Sequence, residues 1–419
     1  MARKMKDSGI EWIGEIPEGW RITTIGRLFG ATAGGDVKPQ LYSDIQDSQH
    51  PYPVFTNSSN REQVYAYTSK PMFTSNTITV TGRGDIGHAF FRDMSYDAII
   101  RLLVLTPKFD LDCRYYAYWI DNVISFFTNG SAVAQLSAQQ VLPYKIAFLP
   151  IGQQHVIANH LDFSCHQIDA VLSKIRTSIE EYKKLKQAVI TQAITKGVRG
   201  EREMKDSGNP WFGQIPADWK LTRVGLHFSI ILGKMLCNAP LNDTYTLEPY
   251  YCAADVHFDG VADGERKKMW FSPIEKDLYR VSVGDLLVVE GGAGAGGSAI
   301  VENQDSDTYI QNSIMIVRSK GNADNRYLRY LLEFLIKQGY IDIVCNKATI
   351  PHFTKDKLSC VPFCLCPTGE QKEIADYLDA KCAEIDGLIA KKEQLVKELE
   401  NYKKSLIFEY VTGKKELRR

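Results

Sequence analysis

Apolar residues recur every seven positions in two long stretches, one near the middle of the chain and one at its end. From Leu161 the series Leu161, Ile168, Ile175, Tyr182 and Val189 advances by sevens. Ser164, Val171, Ser178 and Leu185 follow three residues after the first four. From Leu378 the series Leu378, Ile385, Lys392, Leu399 and Leu406 repeats the spacing, with Leu388, Leu395 and Tyr402 as companions. A seam sustained over more than four heptads predicts two coiled-coil helices. Lys381 and Lys392 interrupt the second. Between its Ile-Asp and Tyr-Lys-Lys pairs the second stretch is longer by three residues, 17 against 14. A shift of that size predicts local overwinding. At about 1.5 Å per residue, a helix of roughly 40 residues is on the order of 60 Å long. Each helix could pack on its own globular segment. Two seams in one chain favour mutual antiparallel pairing instead, a spacer with a globular domain at either end.

Ahead of each helix the pattern shortens to β-like runs between turn-rich stretches. In the first half these are 52–56, 77–81, 88–91 and 99–105, with a shorter helix expected over 113–127. In the second half they are 285–290, 298–301 and 314–317, with a helix over 325–338. The order matches while residue identity between the two segments is low.

The frame itself is written twice. Met5-Lys-Asp-Ser-Gly-Ile-Glu-Trp-Ile-Gly-Glu-Ile-Pro-Glu-Gly-Trp20 returns as Met204-Lys-Asp-Ser-Gly-Asn-Pro-Trp-Phe-Gly-Gln-Ile-Pro-Ala-Asp-Trp219. The offset, 204 less 5, is 199 residues. Pro150-Ile-Gly-Gln-Gln and Pro367-Thr-Gly-Glu-Gln open the two long helices. Repeats of this kind indicate one module used twice, and a duplicated chain behaves as a pseudo-two-fold dimer whose ligand is expected to share that symmetry. The expected architecture is α+β: two mixed α/β domains separated by two long helices that form an antiparallel coiled coil, with a pseudo-two-fold internal repeat. The boundaries are 1–149 and 201–366 for the globular domains, 150–200 and 367–419 for the helical regions.

Composition narrows this little. The 419 residues exceed one core, and 44% hydrophobic with 24% charged residues describe an ordinary soluble protein. Net charge is zero, so any nucleic-acid surface must be local, and DNA affinity of the isolated chain is expected to be weak. The N-terminal residues are charged, without the apolar core of a secretion signal, and no apolar run approaches a membrane span. A cytoplasmic location is expected. Nine irregularly spaced cysteines agree with reduced thiols. Cys360, Cys364 and Cys366 lack a matching zinc knuckle and fit alternation on a strand instead. No metal is expected.

Catalytic signatures do not emerge. Glu290-Gly-Gly-Ala-Gly-Ala-Gly-Gly-Ser298 lies before a strand-like run, whereas a phosphate loop needs a helix N-terminus. Thr81-Gly-Arg-Gly-Asp-Ile-Gly-His88 is its counterpart. Both fit connections where the backbone approaches something closely, which a DNA edge could be. There is no HExxH helix, no GxSxG turn and no Asn-Pro-Pro-aromatic motif. His155, His160 and His166 do not share a helical face.

The doubled Ser-Gly…Trp…Gly-x-Ile-Pro-x-x-Trp segments and the Pro-x-Gly-x-Gln helix starts, with divergent domains between them, resemble the specificity subunit of type I restriction–modification systems. So do Gly130-Ser-Ala-Val-Ala-Gln-Leu-Ser137 and Ala348-Thr-Ile-Pro-His-Phe-Thr354, each shortly before a long helix. The resemblance covers essentially the whole chain. It implies a DNA-reading scaffold without catalysis of its own. Two target-recognition domains would each read one half of an interrupted double-stranded DNA site. The helices would dock two modification (methyltransferase) subunits, which use S-adenosylmethionine, and through them restriction subunits, which use ATP and Mg. No cofactor is expected on this chain. Rival readings are a combined methylase–nuclease chain, which would methylate DNA unaided, and a DNA-free coiled-coil adaptor, which gel shifts would separate.

Base reading requires Arg, Lys, Asn or Gln at base edges. The candidates are Asn57, Ser58, Asn60, Arg61, Lys70 and Arg83 in the first domain. In the second they are Arg266, Lys267, Lys268, Asn346, Lys347, His352 and Lys355. Residues 56–61 equally fit a hairpin turn. Gln135 and Thr349 are expected to be structural.

Overall fold

The computed structural model describes residues 3–126, 135–258, 260–303, 307–345 and 351–417. It divides into two units, Met1–Thr177 with Glu393–Arg419, and Ser178–Lys392. Two long helices, α2 (Ile151–Lys196) and α4 (Thr368–Val411), contribute residues to both. Two shorter ones are α1 (Cys113–Val123) in the first unit and α3 (Asn325–Lys337) in the second.

Each unit is built on the same four-stranded antiparallel sheet. In the first its order is Phe29–Ala33, Leu103–Pro107, Thr77–Val80, Ala89–Arg92. In the second it is Phe228–Leu232, Ile314–Ser319, Leu286–Val289, Ser298–Ile300. The apolar runs form three of the four strands in each sheet, Phe29–Ala33 and Phe228–Leu232 lying outside the expected runs, and one run is corrected. The run 99–105 does not extend as one strand, because Ile100 and Arg101 take positive φ angles of 52° and 59°. The strand starts only at Leu103. A smaller sheet stands beside each, with Tyr52–Phe55 against Val64–Thr68 in the first unit and Thr246–Tyr251 against Lys267–Phe271 in the second. Helix α1 ends at Val123, short of its expected end; Phe127 lies outside the described residues.

The repeated opening segments form small hairpins, Met5–Asp7 with Glu15–Pro17 and Met204–Asp206 with Gln214–Pro216. Gly9, Gly14, Gly208 and Gly213 all sit at positive φ, between 60° and 69°, where a side chain is strained. Trp20 and Trp219 close the hairpins and are wholly buried.

A second repeat, missed in the linear sequence, ties the domains to their helices. Asp112-Cys-Arg-Tyr-Tyr-Ala-Tyr-Trp-Ile-Asp121 on α1 corresponds to Asp324-Asn-Arg-Tyr-Leu-Arg-Tyr-Leu-Leu-Glu333 on α3. Asp112 and Asp324 cap their helices by accepting from the Arg114 and Arg326 amides. The Asp112 amide in turn donates to Gln154 Oε1 at 3.0 Å, while Gln154 Nε2 donates to the Leu149 carbonyl at 2.8 Å. Gln371 repeats the pair with the Asp324 amide and the Cys366 carbonyl, at 3.0 and 2.8 Å. Both glutamines are buried. On the surface, Arg114 and Tyr118 converge on Asp162, and Arg326 and Tyr330 on Asp379.

Within each unit α2 and α4 run antiparallel. Asp169 meets Lys403 and Arg176 meets Glu400 in the first unit; Lys186 meets Asp386 in the second, where Arg199, just past the end of α2, also meets Glu373. The companion positions of the seam are corrected. The positions four residues on, Cys165, Leu172, Ile179 and Lys186 on α2 and Cys382, Ile389, Val396 and Lys403 on α4, are all buried or half-buried, whereas of the expected companions three residues on only Ser164, Ser178 and Leu388 are half-buried. Val171, Leu185, Leu395 and Tyr402 are exposed, Leu395 by 43% and Tyr402 by 53%. Leu161, Leu378 and Ile385 are buried, and Ile168, Ile175, Tyr182, Leu388 and Leu399 half-buried. A heptad seam alternates gaps of three and four, and both options from Leu161 contain apolar residues, so packing decides.

The expected overwinding is corrected as well. Burial along α4 keeps its alternation from Leu378 through Leu406. The three extra residues instead rotate Tyr402 off the seam that Tyr182 occupies. Lys392 stays half-buried, its Nζ 5.5 Å from the Tyr182 ring centroid, and Lys381 lies outside the seam, paired to Glu384. Among the described residues no helix is long and apolar enough to cross a membrane.

Replacing Gln154 by Ala strands the Asp112 amide and the Leu149 carbonyl in the core. The expected loss is about 2–3 kcal/mol of unfolding free energy, measured by urea unfolding of the full chain. A loss below about 0.5 kcal/mol would show that neither group depends on the glutamine.

Candidate nucleic-acid interface

Sequence neighbours in the first unit are folded into one polar edge by a few side chains. Asn57 accepts from the Gly82 amide at 2.7 Å and donates to the Arg83 carbonyl, which staples loop 56–61 to loop 81–88. Ser58 donates to Gln63 at 2.6 Å and accepts from the Asn60 amide at 3.0 Å. Asn60 accepts from the Glu62 amide at 3.0 Å. Arg83 bridges Gln135 in a short antiparallel contact, and the Leu136 amide donates to the Gly82 carbonyl. The three candidates Asn57, Ser58 and Asn60 therefore spend hydrogen bonds on shaping the loop.

The close approach expected of the glycine loops is made to the chain's own atoms rather than to an open edge. A Cβ on Gly82 would lie 2.9 Å from the carbonyl oxygens of both Arg101 and Leu136. In the second unit one on Gly296 would lie 2.5 Å from Ile336 Cδ1.

Beneath the polar loop lies a cation that sequence reading did not single out. Arg92 is 6% exposed. Its Nε donates to Thr79 Oγ1 and its Nη1 to the Arg61 carbonyl, both at 3.0 Å, and its guanidinium lies 3.6 Å from the Phe55 ring centroid. Burial lowers its pKa to about 10. A buried cation with aromatic and carbonyl partners holds the loop from below. The signal available in sequence was only Phe-Phe-Arg at a strand end, which does not mark it. Arg61 is exposed with Glu62 3.8 Å away. Arg83 and Lys70 are exposed and have no ion pair among the described residues.

The second unit matches this edge with different residues. Loop 290–297 pairs with the segment before Thr354: Gly291 bridges His352, and the Phe353 amide donates to the Glu290 carbonyl at 2.6 Å. His352 is exposed with its Nδ1 3.3 Å from Glu290 Oε2. Thr354 caps the helix Lys355–Cys360, and Lys355 is exposed at its first turn. Lys267 and Lys268 are exposed on the strand Lys267–Phe271. Arg266 is folded back, 3.3 Å from Asp255, donating to the Ala262 carbonyl and lying over Tyr251. Lys234 is likewise held by Glu275 at 2.5 Å. Asn346, Lys347 and Thr349 lie outside the described residues.

The cysteines are not a strand-borne set. Cys360 ends a helix, Cys364 sits in the strand Pro362–Leu365, and Cys366 follows it. Burial pushes the Cys364 thiol up to about 12, which favours the protonated, non-ligating form.

The arrangement offers exposed cations on loop and strand edges, Arg61, Lys70 and Arg83 in one unit and Lys267, Lys268 and Lys355 in the other, over a rigid antiparallel sheet. That chemistry suits phosphate contact and base-edge reading.

The type I restriction modification DNA specificity domain matches the chain over residues 17–181 and 262–398. A Mycoplasma pneumoniae protein assigned as a type I specificity subunit is 30% identical over 138 residues, 33% of this chain and 41% of that relative. The chain thus spans about two fifths of that relative's length. The specificity subunit of the MjaVIII type I restriction enzyme of Methanocaldococcus jannaschii is 22% identical over 95% of this chain and 93% of its own. Among solved structures, a chain from a type I restriction–modification system described for its complex assembly and conformational transition shares the fold. Its TM-score is 0.69 at 16% identity, over 94% of this chain and 98% of that one.

Arg83→Ala is expected to weaken DNA binding and to reduce the salt slope of log K by about one, with thermal stability unchanged. Asn57→Ala should instead lower stability by about 1 kcal/mol, because it opens the staple. Fluorescence anisotropy across a salt series and thermal melting separate the two effects. Equal behaviour of the two variants would contradict the division into shaping and reading residues.

Proposed function

The chain belongs to the family of the type I restriction modification DNA specificity domain, and we propose that it is the subunit that reads an asymmetric, bipartite DNA site for a type I restriction–modification complex. One observation carries the reading. The frame is kept twice, down to Gln154 and Gln371 with their paired backbone groups, while the exposed cations on the two sheet edges differ in identity and placement. A kept frame suits two copies of one partner. Differing edges suit two different half-sites.

In this reading the first target-recognition domain is 1–149 and the second 201–366, with helical regions 150–200 and 367–419 that dock two modification subunits. Those subunits supply adenine methylation with S-adenosylmethionine, and restriction subunits joined through them supply ATP- and Mg-dependent cleavage. The chain itself carries out no catalysis, and the complex works on DNA in the cytoplasm. Arg61, Arg83, Lys70, Lys267, Lys268 and Lys355 are the proposed contacts. With a formal charge of zero, the chain relies on its partners for much of the phosphate contact.

Long-read methylome sequencing of a host expressing the chain with its modification subunit tests this. The expected result is an interrupted, asymmetric motif. Exchanging residues 21–145 for another family member's equivalent should change one half of it and leave the other intact. A continuous motif, or change in both halves, contradicts the assignment. Removing one heptad from each long helix should shorten the gap and preserve both half-sites, read by the same sequencing.

A further inference from the structure

One cavity in the first unit lies apart from the edges proposed to meet DNA. Its volume is about 470 Å³, and it opens between α1, the edge strand Ala89–Arg92 and the first-unit stretches of α2 and α4. Most charges in its lining are already matched. Arg114 is held by Asp112 at 2.6 Å and Asp162 at 2.9 Å. Lys403 is held by Asp169 and Arg176 by Glu400, each at 2.6 Å. Lys404, the remaining cation of the lining, is solvent-exposed.

Asp121 is different. Its Oδ1 accepts from the Ala89 amide at 3.1 Å, and the nearest cationic partner is His88, 3.6 Å away. Burial raises its carboxyl pKa above the usual range, against the smaller opposing pull of that amide, of His88 and of Lys403. Asp121 is an exposed residue whose Oδ2 also accepts from Asn122 Nδ2 at 3.5 Å, and among the described residues it has no ion pair with a lysine or arginine.

The second unit carries the same site already filled. Helix α3 repeats α1 position by position, so Arg326, Tyr330 and Glu333 stand where Arg114, Tyr118 and Asp121 stand. At the position of Ala117 it has Arg329. The Arg329 guanidinium lies 4.4 Å from the Tyr330 ring centroid and 3.3 Å from Glu333 Oε2, and it donates to the Phe258 carbonyl. Glu333 is buried beneath it. An alanine in place of that arginine leaves both the room and a carboxylate without the arginine partner that Glu333 has.

We infer that the first-unit cavity is a guanidinium seat, taking from outside the chain the group that Arg329 supplies within the second unit. The guest would lie over Tyr118 and pair with Asp121. Its source is either an arginine side chain of a docked polypeptide or a free guanidinium compound; the chemistry recognised is the same. Planar charge-paired recognition over an aromatic ring favours guanidinium over ammonium. The seat itself does not rest on the proposed function; only the arm that assigns the guest to the modification subunit does.

The test is titration of the full-length chain with N-acetyl-arginine amide, followed by calorimetry or NMR shifts of Tyr118. Saturable binding is expected, weaker by roughly tenfold or more in Asp121→Asn, and weaker for N-acetyl-lysine amide. Ala117→Arg should fill the seat and abolish binding. Should that variant fail to fold, the Asn variant decides alone. No saturable binding, or binding unchanged in Asp121→Asn, overturns the inference. Given binding, an Ala117→Arg chain that captures the modification subunit less tightly places the guest on that subunit, and unchanged capture identifies a free compound.

Discussion

Two buried glutamine amides set the geometry on which the rest of this protein depends. Gln154 and Gln371 each stand in the first turn of a long helix and satisfy two backbone groups. One is the cap amide of the helix packed on the sheet; the other is the carbonyl that ends the preceding strand segment. A buried polar group left unmatched costs on the order of 1–3 kcal/mol. The amide can meet both partners only when the long helix leaves the domain in one direction. Each domain is thereby held at a defined angle to its helix.

Within each unit the paired helices are dry next to the domain and more tolerant further along. Leu161 and Leu378 are fully buried next to the domains, whereas Lys186, Lys392 and Lys403 occupy seam positions further along. Each of these lysines has a specific neighbour, Asp386, the Tyr182 ring and Asp169. Their aliphatic stems cover apolar surface while the ammonium groups reach carboxylate or ring. Polar residues in a seam weaken it and specify its register, which suits helices whose pairing has to be unique rather than maximally tight.

The same frame supports unequal contents. At the glycine loops, both units bring a strand connection against the segment before the next helix, Arg83 with Gln135 and Gly291 with His352. What projects from those edges is not repeated. At the inner helices one of the differing side chains, Ala117 against Arg329, decides whether a carboxylate is paired with an arginine from within.

Periodicity and repetition in the sequence determined the doubled frame, the heptad period, three of the four strands of each sheet and the place of each long-helix start, because those depend on neighbours close along the chain. Tertiary structure decided which of two apolar companions enters the seam, since gaps of three and four are equally open to a heptad until a partner helix covers one face. It also decided which polar residues are spent and which remain available. Asn57, Arg266 and His352 look like ready contacts in the linear chain, yet their partners, Gly82 and Arg83, Asp255 and Ala262, and Glu290, come from other segments. For Asn57 and His352 the partners lie tens of positions away, and for Arg266 a turn brings them back, so no local pattern marks the pairing and the reading surface could be located only after the chain had folded.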